Sequence, residues 1–441
     1  MKGRILKLLL SLVLINITAQ VTAQYQDEDL QYNITVPVGM QFQNEVKALA
    51  KKPVIISSFK KIIDMEPETY KNLITLTEIP APPFKEQKRA DKVREMINAI
   101  GADSIWTDAV GNVIALKKGR SGKRTVVLDA HLDTVFPEGT DVTVKQKGDT
   151  LMAPGIGDDT RGLAVLLAVM KAMKEAKVSV EADVLFIGAV GEEGLGDLRG
   201  VKQLFKPGER KIDAYIAIDG GDIGGITYGG VGSHRYRITF NGQGGHSYGA
   251  FGLANPHNAA ARAITYFINA ADPYTRTGVK TTYNVGVTGG GTSVNAIPFE
   301  SWMEVDMRSE SQERLSGIDT LLQVAIRKAL KEENNMKRRG RDLTVTAKLV
   351  GDRPSGVQET TLPLLQKSMA TAMFFGAKPR LDISSTNANM PISKGIPAVT
   401  IGRGGKGGGA HSLNEWWIND KGYLAIQNAL LLLVSEAKLA E

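Results

Sequence analysis

The chain has 441 residues, 42% hydrophobic and 23% charged, the composition of an ordinary water-soluble globular fold. There is no cysteine, which excludes disulfides, thiolate metal sites, iron–sulfur ligation and a cysteine nucleophile. The five histidines (His131, His234, His246, His257 and His411) limit any metal site to a few imidazoles, with Asp and Glu supplying the rest. The formal charge of +7 falls to +4 without Lys2, Arg4 and Lys7, which is mild for this length, and no basic stripe carries interleaved aromatics, so nucleic acid is not an expected partner.

Residues 1–23 read as a secretory signal peptide. Lys2, Arg4 and Lys7 form a positive start, Leu8 to Ile15 a short apolar core, and Val21-Thr22-Ala23 a small-residue cleavage site. The apolar core is too short for a comfortable membrane span, so no stable anchor is expected after cleavage. The expected location is periplasmic or extracellular. Residues 24–52 are polar and unpatterned and read as a leader.

Helical spacing follows at Ala90, Val93, Met96, Ile97 and Ile100, stopped by Gly101. Thr125 to Leu128 is a β-branched run typical of a buried strand. Gly162 to Ala176 predicts a helix apolar on most faces. Asp183 to Val190 and Ala214 to Ile218 predict further buried strands. Strands alternating with helices argue for an α/β domain with a largely parallel sheet.

The texture changes after Gly220 to Gly232. Arg235 to Phe240 alternates cleanly, as a half-exposed strand does. A helix follows with Asn255 as N-cap and Pro256 in its first turn. Strands are predicted over Thr281 to Val287 and Glu300 to Arg308, a long helix over Ser311 to Glu333, and a last strand over Leu343 to Val350. The order βαββαβ is the ferredoxin-like pattern. It marks a second domain over 232–352, inserted into a first domain made of 53–231 and 353–441. The basic run Lys337-Arg338-Arg339 with Arg341 reads as a solvated loop. Helices over Leu362 to Phe375 and Gly422 to Leu439 flank a short strand, Ala398 to Ile401.

Buried parallel strands should be apolar to their ends. Here several run into acids or a histidine. His131 and Asp133 lie two apart, on one face of their strand. Asp158-Asp159 sits in a glycine-rich turn before the helix at Gly162. Glu192-Glu193 ends the next apolar run, and Asp219 ends another. His411 and Glu415 follow Gly407-Gly-Gly-Ala. Ligand sites of α/β sheets lie beyond the carboxyl ends of the strands. Acids gathered at that edge repel one another unless a cation joins them. Two imidazoles with several carboxylates suit zinc, with cobalt or manganese as alternatives. Of the adjacent acids Glu192 and Glu193, one can hold a cation while the other takes a proton from water.

At these residues, from about Pro53 to Glu441, the chain resembles the zinc-dependent exopeptidase family that includes glutamate carboxypeptidase, peptidase T, and the acetylornithine and succinyl-diaminopimelate deacylases. The resemblance implies a mostly parallel α/β catalytic domain carrying an inserted ferredoxin-like α+β lid that often dimerises. It implies two zinc ions. His131 and Asp219 would bind one, Glu193 and His411 the other, and Asp158 would bridge them. Asp133 would orient His131, and Glu192 would be the general base for metal-activated water. A cis peptide bond is expected between Asp158 and Asp159. In the lid, Gly244-Gly-His246-Ser resembles the segment whose histidine stabilises the tetrahedral intermediate, often across a homodimer. Asn295 and Arg308 resemble residues that hold the substrate's terminal carboxylate, for which arginine's paired donors suit. His234 and His257 match no catalytic position.

Two departures stand out. Thr160 and Arg161 replace the usual Lys-Gly or Lys-Ala after the bridging acid, which changes the electrostatics beside the metals. Ser384-Ser-Thr-Asn387 stands where Gly-Gly-Thr-Asp is common, which bears on substrate contacts. The phrase Ile79-Pro-Ala-Pro-Pro-Phe-Lys-Glu86 leans toward the peptidase T-like branch. The expected substrates are short peptides, with N-acyl amino acids as the alternative. A non-catalytic binding protein on the same scaffold is the remote one.

Overall fold

A computed structural model describes residues 36–440. The signal-peptide reading of residues 1–23 lies outside the described residues. The leader reading is corrected where it can be seen. Met40–Ala50 is a helix that buries Val46 and Ala50 and packs on helix Pro363–Phe374. Gly39 N donates to Gln366 Oε1 at 2.8 Å. The apolar positions Phe42, Val46, Leu49 and Ala50 share one helix face, diluted by polar neighbours. Helices Pro53–Asp64, Glu66–Thr77 and Gln87–Ile100 follow, and the last stops at Gly101, whose φ of 86° favours glycine.

The central sheet runs in the order Ser104–Thr107, Val113–Lys117, Asp183–Ala189, Thr125–His131, Ala214–Gly220, Ala398–Gly402, Gly225–Gly230. Gly356–Val357 and Arg380–Ser384 both pair with Gly225–Gly230. Thr125–His131 pairs in parallel with Asp183–Ala189 and with Ala214–Gly220, which is itself parallel to Ala398–Gly402. Their carboxyl ends therefore share one edge. Thr125–His131 and Asp183–Ala189 are buried along their whole length. Helices Thr160–Glu175, Tyr423–Ala437 and Pro363–Phe374 join one large core with the sheet. Thr160–Glu175 is buried on nearly every face, which explains its apolar circumference.

Residues 232–353 form a separate four-stranded antiparallel sheet, in the order Thr281–Gly290, Glu300–Ser309, Gly232–Asn241, Thr344–Arg353. Helices Pro256–Thr275 and Gln312–Met336 pack on it over Ile238, Phe240, Met303, Val305 and Met307. The N-cap expected at Asn255 forms, and Ser311, at the expected start of the long helix, caps it. Asn255 Oδ1 accepts from His257 N at 2.9 Å, and Ser311 Oγ from Arg314 N at 3.3 Å.

A small sheet had no counterpart in the sequence reading. It joins Lys406–Gly408, Trp416–Ile418, Thr150–Met152 and Lys145–Lys147. Its three-residue strands are too short to show periodicity, yet they brace the loop that carries His411. Among the described residues, no helix is long and apolar enough to cross a membrane.

Candidate metal centre

His131 ends its strand with the imidazole buried. Its Nε2 lies 3.3 Å from Asp158 Oδ1 and 3.7 Å from Asp219 Oδ1. On the far side of Asp158, Oδ2 lies 3.3 Å from His411 Nε2, which also sits 3.0 Å from Glu193 Oε1. Asp158 therefore faces both imidazoles, one with each oxygen. Ligand atoms of Asp158, Glu193 and His411 all fall within 4.8 Å of one another, as do those of His131, Asp159 and Asp219, and those of His131, Glu192 and Glu193. The Asp158–Asp159 peptide bond is cis. Asp159 Oδ2 accepts from the main-chain N of His131 at 3.1 Å, and its Oδ1 lies 3.5 Å from Arg403 Nη1.

Several residues hold this arrangement. Asp133 does so by a different route from the expected one. The acceptor beside His131 Nδ1 is the main-chain carbonyl of Asp133 at 2.9 Å, and its carboxylate Oδ1 stands 3.7 Å off. That carboxylate instead accepts from Glu192 N at 3.0 Å and Glu193 N at 2.8 Å, fixing the turn that presents both acids. Glu415, quoted in the sequence but given no role there, accepts from Gly155 N, Gly157 N and Asp158 N at 2.7, 2.8 and 2.8 Å. It shapes the turn that carries Asp158. A buried acid four residues after His411 was the available signal.

The electrostatics are those of a crowded anionic site. Burial pushes Asp219's carboxyl up, and the charge of Asp158 adds to this. Burial also pushes Asp158 up, but Arg403, His131 and His411 outweigh it and hold its carboxyl well below the usual range. Contacts with Asp158 and Glu193 raise His411 to about 10. Carboxylates and imidazoles at these separations suit a divalent transition metal, and the donor chemistry fits zinc.

A cavity of about 570 Å³ opens onto the cluster. Asp158, Glu192, Glu193, Asp219 and His411 line it, together with Arg235, Arg308, Arg353 and Ser384 to Thr386. Arg353 was missed in the sequence. Its Nη1 lies 3.0 Å from Glu192 Oε1 and 2.9 Å from Ser385 Oγ, and both partners of this ion pair are buried. Burial pushes the Glu192 carboxyl up to about 8, against the pull of Arg353. Asp306 accepts from Arg235 Nε and Arg308 Nε, both at 2.8 Å. The two arginines lie on paired neighbouring strands: Arg235 opens an alternating run that reads as an exposed face, and Arg308 is the residue expected to hold a substrate carboxylate.

His246 and Asn295 are brought to each other but do not line this cavity. Strand Gly245–His246 pairs with Ala296–Ile297, and Ser247 N donates to Asn295 O at 2.9 Å. His246 is exposed, with Nδ1 accepting from Tyr248 N and Gly249 N at 3.3 and 3.2 Å. His234 pairs with Asp319 and Asp352, and His257 with Ser301, in line with structural roles.

One residue of each departure, Arg161 and Asn387, has a partner away from the cluster. Arg161 points away from the cluster. Its Nη2 donates to Gly422 O at 2.9 Å, and its guanidinium stacks over Trp417. The cation beside the acids comes from Arg403, whose Nη1 lies 3.3 Å from Asp158 Oδ1 and from Asp219 Oδ1. Asn387 is buried away from the cavity against Asp129.

A mainly parallel sheet that delivers imidazoles and carboxylates to one edge is the layout of a metal-dependent hydrolase. The profile of peptidase family M20/M25/M40 matches residues 127–435. The chain belongs to this family, and so to the metal-dependent peptidases and amidohydrolases. The uncharacterized protein YqjE of Bacillus subtilis is 26% identical over 304 residues, 67% of this chain and 76% of its own. Carboxypeptidase G2 of a Pseudomonas species is 25% identical over 232 residues, 50% of this chain and 53% of its own. The chain thus aligns with about half the length of that enzyme. A tripeptidase from Staphylococcus aureus shares the fold, with a TM-score of 0.68 at 21% identity, over 84% of this chain and 98% of that one.

Proposed function

We propose that the protein is an exported dinuclear zinc exopeptidase that cleaves short peptides beside a free terminal carboxylate. The observation that carries this reading is the shared cavity, in which the cluster and Glu192 face Arg308, Arg235 and Arg353. Arg308 spends its Nε on Asp306 and is 44% exposed, which leaves its terminal nitrogens for a carboxylate. The name of carboxypeptidase G2 agrees with such a substrate.

His131 and Asp219 would hold one zinc, Glu193 and His411 the other, and Asp158 both. When bound, the metals supply Lewis acidity that polarises a carbonyl and makes water a nucleophile near neutral pH. Glu192 takes the proton of the attacking water and returns it to the leaving amine. Arg353 keeps the Glu192 carboxylate aimed into the cavity. Asp133 fixes the turn on which Glu192 and Glu193 sit.

His246 and Asn295 lie on a lid face with Tyr248, Phe251, Val294 and Phe299 exposed. We read this face as the one offered to a second copy in a homodimer, where His246 would reach the partner's site.

The test is a library of di- and tripeptides with N-acetyl and N-succinyl amino acids, digested with and without chelator and read by mass spectrometry. The expected result is chelator-sensitive release of terminal residues from peptides. Cleavage of the N-acyl amino acids alone would replace this reading with a deacylase, and no chelator-sensitive cleavage would overturn it.

A further inference from the structure

Arg403 makes the two halves of the candidate centre unequal, and the inference drawn from it rests on the dinuclear reading above. Its Nη1 lies 3.3 Å from Asp158 Oδ1, 3.3 Å from Asp219 Oδ1 and 3.5 Å from Asp159 Oδ1. The first two oxygens are the same atoms that face His131 Nε2. The guanidinium therefore stands where a cation on the His131 side would find its carboxylates. The other half, Asp158 Oδ2, Glu193 and His411, differs. No described lysine or arginine forms an ion pair with Glu193, and Asp158 turns Oδ2 to His411.

The arginine is held in place by its backbone. Arg403 N donates to Gly220 O at 3.1 Å, one residue beyond Asp219. Buried Arg161 donates through Nε to the Arg403 carbonyl at 3.3 Å. The side chain also has room to leave. It borders a second cavity of about 540 Å³, lined also by Asp222, whose carboxylate pairs with Arg380 at 2.6 Å.

We propose that Arg403 is a resident cation that competes with metal for the His131–Asp219 half of the centre. The half made by Asp158, Glu193 and His411 fills first and tightly. The half made by His131 and Asp219 fills only when the guanidinium withdraws from Asp158 and Asp219. Two cations cannot both hold the same carboxylate oxygens without mutual repulsion, so the second metal binds more weakly. Arg403 thus acts as a positioning residue that sets metal occupancy.

The experiment is equilibrium dialysis of metal-stripped full-length protein against buffered free zinc, with zinc per chain counted by mass spectrometry. Wild type is expected to fill in two steps separated by about tenfold or more in free zinc, a factor that corresponds to about 1.4 kcal/mol. Arg403→Met should tighten the weaker step about tenfold, and Arg403→Lys should leave the two steps apart. His411→Ala should remove the tighter step, and His131→Ala the weaker one. Simultaneous filling in wild type overturns the proposal. So does an Arg403→Met protein whose weaker step is unchanged, or a His131→Ala protein that loses the tighter step. If Arg403→Met does not fold, the wild-type isotherm and the two histidine variants decide the matter. Zinc counts involve no substrate. A chain that cleaves no peptide would sink the functional reading alone, and equal zinc steps in an active enzyme would sink this one alone.

Discussion

Asn387 donates from Nδ2 to Asp129 Oδ2 at 2.7 Å, with both side chains buried behind the strand that ends in His131. The amide suits a position that the family resemblance would fill with an acid. A second carboxylate here would face the first with no water between them. Asn387→Asp should therefore lower stability by about 1–3 kcal/mol. Exchanging the pair, Asp129→Asn with Asn387→Asp, should recover most of that loss. Urea unfolding of wild type and the two variants measures both outcomes, and equal stability of Asn387→Asp and wild type would contradict the argument.

Glu192 is buried beside Arg353, and its carboxyl is pushed up to about 8 by burial. As a general base it must be ionised to act. Glu192→Gln should reduce kcat by about 10²–10⁴ while zinc per chain stays unchanged. Arg353→Met removes the cation that favours the ionised form. The acid limb of the kcat/KM profile should then move to higher pH. A profile that stays in place would show that Arg353 does not govern Glu192.

Glu415 gathers three main-chain donors around the Asp158 turn without belonging to the proposed ligand set. Glu415→Ala would leave those buried donors unpaired and free the turn. Zinc affinity is expected to fall about 10–100-fold, the usual effect of losing a group that orients a ligand. Equilibrium dialysis reads the shift, and unchanged binding would make Glu415 a stability residue only.

His234, on strand Gly232–Asn241, ties that strand to helix Gln312–Met336 through Asp319 and to strand Thr344–Arg353 through Asp352. Its Nδ1 lies 2.9 Å from Asp319 and its Nε2 3.4 Å from Asp352, and these acids raise its imidazole to about 9. A histidine whose pKa is higher folded than unfolded adds stability below its unfolded value, near 6.5, and loses that contribution as pH rises through 9. Solvent screening around the exposed Asp352 keeps the contribution to about 1 kcal/mol. Unfolding free energies of wild type and His234→Gln should differ at pH 6 and converge above pH 9. A constant difference across that range would mean that the pair contributes by packing alone.

Periodicity and end signals carried most of the fold. The strands Thr125–His131 and Ala214–Gly220, the caps Asn255 and Ser311, and the stop at Gly101 depend on neighbours close in the chain. Met40–Ala50 escaped because its apolar face is thin and finds its partner at Pro363–Phe374, far along the chain. The strands around Lys406–Gly408 escaped because three residues hold no period.

The sequence by itself determined that acids and imidazoles end several buried strands, and parallel pairing then obliges those ends to meet at one edge. It also set the order in which His131, Asp158, Glu193, Asp219 and His411 arrive there. Only the tertiary structure decided which cations stand among them. Arg403 and Arg353 lie far in sequence from the carboxylates they contact. An arginine in a loop or at a strand end looks the same in sequence whether water or a carboxylate awaits it. The tertiary structure likewise left His246 and Asn295 beside each other, away from the cavity. Local spacing fixes which face a side chain takes, while charge pairing across hundreds of residues depends on how the chain is packed.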